Sequence, residues 1–133
     1  HDALPICLVL GGSSQQSYRV DFEYLSRSWA NDLRYRLLHG NEVLAEVDIL
    51  RVSGRRWPDI NLRANPGTQT ARMTSTGRWW RSIFELHEPD GTLLARIEEP
   101  AALTLRRRYL IDGERLPLAV KAFLGVVVVS LRL

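Results

Sequence analysis

The chain has 133 residues, one domain's worth, and its 45% hydrophobic and 25% charged content is that of a folded globular chain, not a disordered one. A single cysteine, Cys7, excludes an intramolecular disulfide, a cysteine-based zinc site and an iron–sulfur cluster in this stretch. Net charge is only +3, and Lys121 is the one lysine among 18 basic residues. The arginines are spread along the chain without the concentrated excess of a nucleic-acid reader, so nucleic acid is disfavoured as a partner.

His1-Asp2-Ala3-Leu4-Pro5-Ile6 reads like a translated sequencing adapter, and residues 1–12 are set apart as an artefact or disordered start. Residues 13–133 are then expected to form a single β-barrel-like domain, truncated at its N-terminus. After a polar linker from Ser13 to Ser17, Tyr18, Val20, Phe22 and Tyr24 alternate with Arg19, Asp21 and Glu23, the period of a strand with one wet face. Leu33, Tyr35 and Leu37 alternate in the same way with Arg34 and Arg36. His39-Gly40-Asn41 then turns the chain back into Val43–Val47, which makes a hairpin. Pro58 marks a corner, and Ile60 and Leu62 suggest a short strand before the Asn65-Pro66-Gly67 turn.

A second hairpin is clearer. The spacing predicts a strand over Trp80 to His87, a Glu88-Pro89-Asp90-Gly91 turn and a return strand through Leu93–Ile97. Leu103, Leu105, Arg107 and Tyr109 open another strand, which ends at Asp112-Gly113. Val43-Leu44-Ala45-Glu46-Val47 and Leu93-Leu94-Ala95-Arg96-Ile97 share one apolar/polar order, an internal echo. From Tyr18 to Ile111 there is no helical periodicity. Leu116 to Leu133 is apolar almost all round, and Pro117 suits a helix's first turn. Three readings of this tail compete: a buried helix threading a barrel, which is preferred, then a final strand favoured by four consecutive valines, then a membrane span. Lys121 inside the tail needs a barrel mouth or a carboxylate such as Glu114.

The stretch Phe84 to Ile97, with Arg106-Arg107-Arg108-Tyr109-Leu110-Ile111 and the apolar tail, resembles the tubby C-terminal-like superfamily, which includes the LURP-one-related proteins and phospholipid scramblases. The resemblance implies a mainly β fold: an antiparallel meander barrel, complete or truncated, around a hydrophobic C-terminal helix. The phosphoinositide-binding residues of tubby proteins have no match here, and none are carried over.

Two clusters interleave guanidinium and indole: Arg55, Arg56 and Trp57, and Arg78, Trp79, Trp80 and Arg81. Arginine pairs with phosphate and tryptophan favours a membrane–water interface, so these residues are the candidate binding site for anionic phospholipid or a protein partner. Arg106 and Arg108 share one face of a strand and Arg107 takes the other, so the three make no single patch unless the strand bulges and are the weaker candidate. His39 and His87 sit beside the two hairpin turns without metal-ligand spacing, and the adjacent Glu98 and Glu99 point to opposite faces. No nucleophile elbow, P-loop or dinucleotide fingerprint appears. The expectation is a non-enzymatic barrel module without a cofactor, cytoplasmic or peripheral to a membrane. The alternatives are an interaction domain without lipid affinity and a β-domain tethered by its tail.

Overall fold

The computed structural model describes residues 6–10, 16–25, 32–51, 58–64, 69–75, 83–98 and 110–132. Among these residues nine strands form one antiparallel sheet: β1 (Ile6–Leu10), β2 (Gln16–Tyr24), β3 (Leu33–His39), β4 (Glu42–Leu50), β5 (Asp59–Ala64), β6 (Gln69–Ser75), β7 (Ile83–His87), β8 (Leu93–Glu98) and β9 (Leu110–Asp112). They lie side by side in chain order, so every described connection is a neighbour-to-neighbour meander. One helix follows, α1 (Leu118–Arg132).

The period of two in the sequence becomes two faces. Tyr35 and Leu37 on β3, Val47 and Ile49 on β4, and Ile60 and Leu62 on β5 are buried on the inner face. Arg34, Arg36, Glu46, Asn61 and Arg63 alternate with them and face outward. Helix α1 lies on the inner face and contributes Ala119, Val120, Phe123, Leu124, Val127 and Val128 to the same core. These residues recur at helical spacing and form a single stripe. Burying side chains such as Phe123 and Leu124 is worth about 2 kcal/mol each, more than the strand preference of the valines.

The two hairpins foreseen in the sequence share one geometry. The β3–β4 turn places Gly40 at φ 63°, and the β7–β8 turn places Gly91 at φ 90°, both in the left-handed region that suits glycine. In β3–β4 the pairing passes from Leu37↔Ala45 to Leu38↔Val43 and skips Leu44. In β7–β8 it passes from Leu86↔Ala95 to His87↔Leu93 and skips Leu94. The internal echo therefore carries the same one-residue bulge at the same place. At the second turn the Thr92 N–H donates to the Asp90 carboxylate, which lies below the usual carboxylate range for that reason.

Several expectations are corrected. The sheet is open, with β1 and β9 as its two margins, so neither a β-barrel nor a tubby-like description fits. Closure needs strands matched in length and stagger, and β9 has only three residues to offer. The helix is accordingly a cover on one face and not an enclosed filler: Lys121, Ala122, Gly125 and Val126 are only half-buried, and Leu118 is exposed. Lys121 forms no ion pair with Glu114 or another carboxylate among the described residues. No described helix is long and apolar enough to cross a membrane.

Two strands went unforeseen. Ile6–Leu10, within the segment set apart as residues 1–12, pairs with β2 as β1. Strand β6 alternates Thr70, Arg72 and Thr74 with Ala71 and Met73, and its small inward residues give a weak apolar signal. The strand expected from Leu103 to Tyr109 lies outside the described residues.

Candidate functional site

Arg55, Arg56, Trp57, Arg78, Trp79, Trp80 and Arg81 lie outside the described residues, as do Arg106, Arg107 and Arg108. The two hairpin histidines are not brought together. His39 stacks at 5.0 Å on Tyr18, while His87 lies on β7, with β4, β5 and β6 between them. No group of three or more potential metal ligands converges among the described residues.

Cross-strand register organises the outer face. Asp21, Arg36, Glu46, Arg63 and Thr70 stand opposite one another in a row across β2 to β6. The next row runs Glu23, Arg34, Asp48, Asn61, Arg72 and His87. Opposite charges on neighbouring strands attract across a spacing of about 5 Å. The centre of this network is Asp48, the one charged residue among the described ones that is buried, at 8% exposure. Arg34 donates to both of its oxygens, Nε to Oδ1 at 2.7 Å and Nη2 to Oδ2 at 3.2 Å. Arg63 Nη1 donates to Oδ2 at 3.1 Å. Burial alone would push the Asp48 carboxyl up, but these hydrogen bonds and the charges behind them outweigh it and hold it below the usual carboxylate range.

Beside the network lies a groove of about 660 Å³ over β5, β6 and β7, walled by Glu88 and Pro89 of the second turn. This volume is in the range of small-ligand sites. Arg72 stands at its centre, with Asn61 and His87 as its cross-strand neighbours and Thr70 and Thr74 two residues away along β6. The Arg72 side chain is 57% exposed, and its Nη2 donates to Asp59 at 2.7 Å. The lip of the groove is fixed by an ion pair between Arg115 and Glu88. His87 Nδ1 lies 3.3 Å from the Gly91 carbonyl oxygen. A carbonyl can only accept, so that bond requires the hydrogen on Nδ1 and leaves Nε2 facing Glu85 at 3.7 Å.

Neither Arg72 nor Arg63 was singled out from the sequence. Their signal was present only as outward positions on strands, and grouping them required β6 and its register. No family model, no curated protein and no solved structure matches this chain.

Proposed function

We propose that this chain is a non-enzymatic binding module that engages an anionic partner through the groove over β5, β6 and β7. One observation carries the reading. Two arginines with unspent N–H donors, Arg63 and Arg72, converge on a ligand-sized groove whose remaining polar lining is Asn61, Thr70, Thr74, His87 and Glu88, the last paired with Arg115. Each guanidinium has five N–H donors, and Arg72 spends one of them, on Asp59. Arg63 hydrogen-bonds Asp48 and lies 3.6 Å from Glu46, too long for a second bond.

Amide chemical shifts of the chain, followed during titration with poly-glutamate and with vesicles of anionic phospholipid, test it. The expected result is perturbation confined to Asn61–Arg63, Thr70–Thr74 and His87, weakened at high salt because the attraction is screened. Perturbation elsewhere, or none with either polyanion, overturns it and leaves the purely structural domain as the better reading.

A further inference from the structure

We infer that the groove takes a single carboxylate attached to an apolar body, in preference to a phosphoryl group. This rests on the anionic-ligand reading above and narrows it. The charge balance around the groove is the first argument. Arg63 already faces Asp48 and Glu46, Arg72 faces Asp59, and Glu88 at the lip faces Arg115. Glu85 stands beside His87. The guanidiniums are therefore largely compensated before any ligand arrives, and a dianion would meet this ring of carboxylates with no surplus positive charge to offset it. A monoanion meets half of that repulsion and can still use the unspent donors.

Donor geometry is the second argument. With Nη2 engaged by Asp59, Arg72 keeps one open edge of its planar fork, which matches the two oxygens of one carboxylate. Asn61 and His87 flank that edge from the neighbouring strands, and Thr70 and Thr74 lie along β6 on either side. The apolar part of the lining is the third argument. Pro89 of the turn is the exposed apolar group of the same groove, the Ala71 and Leu62 side chains being buried on the inner face, and a ligand body packed against its ring would add affinity without charge.

The same chemistry has two sources, a free organic acid or the carboxylate of a peptide. The experiment uses phenylacetate, phenyl phosphate and benzyl alcohol, and a short peptide ending in leucine as its free acid and as its amide, each titrated into the full chain. Shifts at Thr70–Thr74 and His87 are the readout. Phenylacetate should bind about tenfold or more tighter than phenyl phosphate and than benzyl alcohol, the value of one charge-assisted pairing. The peptide acid outcompeting phenylacetate identifies a peptide source, and a peptide acid no better than its amide identifies a free acid. Arg72→Gln should lose about tenfold, and Arg72→Lys should lose nearly as much because it keeps the charge but not the fork.

Phenyl phosphate binding as tightly as phenylacetate, or Arg72→Lys binding like the parent chain, overturns the inference. Either result leaves the anionic groove standing if poly-glutamate still perturbs it. Silence of the groove toward phenylacetate while poly-glutamate binds there also overturns it. Silence toward every anion sinks the broader reading as well.

Discussion

Replacing Asp48 with asparagine keeps the shape of the side chain and removes the charge that Arg34 and Arg63 share. Three charge-assisted hydrogen bonds converge on this carboxylate. Breaking a buried ion pair by removing one partner costs about 3–5 kcal/mol when the survivor is sealed from water. Here the surviving arginine side chains are 27% and 38% exposed, so water recovers part of the loss, and about 2–3 kcal/mol is expected. The wild-type pH dependence follows from the same contact. The folded Asp48 carboxyl lies below its unfolded value, so the unfolded chain takes up the proton first as pH drops. Its stabilisation is complete above the unfolded pKa of about 3.9 and is lost as pH falls through the lower folded value. Urea unfolding at neutral and acidic pH measures both effects. Asp48→Asn should unfold at lower urea with an unchanged slope, and it should lack the part of the acid loss that Asp48 supplies. A variant within about 0.5 kcal/mol of the parent, with the same acid profile, would refute the network as a source of stability.

Two further substitutions probe the packing. Phe123→Ala empties a fully buried position at the centre of the helix stripe and should cost about 3–5 kcal/mol in urea unfolding, whereas the exposed Leu118→Ala should cost well under 1 kcal/mol. Gly113→Ala would set a Cβ 3.0 Å from the Ala95 Cβ and 3.2 Å from the Leu94 carbonyl oxygen, neither of which is the end of a flexible side chain. It should lower stability by about 1–3 kcal/mol, and a neutral result would mean that the loop after β9 does not hold that close approach to β8.

Much of the fold was legible because it is local. The alternation around Arg34 and Arg36, the Gly40 and Asp90-Gly91 turns and the apolar tail each specify their own element over a few residues. Strand β6 escaped because Ala71 and Met73 offer little apolar contrast, and it becomes a strand by being paired on both sides. Closure of the sheet was not legible, since it depends on the length and stagger of the two margins and on no single segment. The candidate site failed for a related reason. The tryptophan and arginine runs stand out as sequence, but Asn61, Arg63, Arg72 and His87 become neighbours only through the ladders of β5, β6 and β7. Even the correctly read outward arginines gave no hint that Asp48 would be buried between two of them.

The echo between the two hairpins creates a hazard, and their charges answer it. Strands β4 and β8 have the same bulge and nearly the same inner face, so each could pair with the other's neighbours during folding. The native partners of Glu46 are Arg36 and Arg63, and those of Arg96 are Glu85 and Asp112. Every native neighbour is opposite in sign. Exchanging β4 and β8 would set Glu46 between Glu85 and Asp112 and Arg96 between Arg36 and Arg63, like charges in all four contacts. Inverted sign therefore leaves the correct ladder unaffected and penalises the swapped one. The triple change Glu85→Arg, Arg96→Glu and Asp112→Arg keeps opposite signs across β7, β8 and β9 but gives up the 3.7 Å contacts of Arg96 with Glu98 and of Glu85 with His87, so equilibrium stability should fall by about 1 kcal/mol at most. It also makes the two units alike in sign, so refolding should slow and exchanged dimers should appear in size-exclusion chromatography. Refolding at the parental rate to monomer alone would show that the bulged registers suffice to keep the two hairpins apart and that the inverted charges contribute nothing to it.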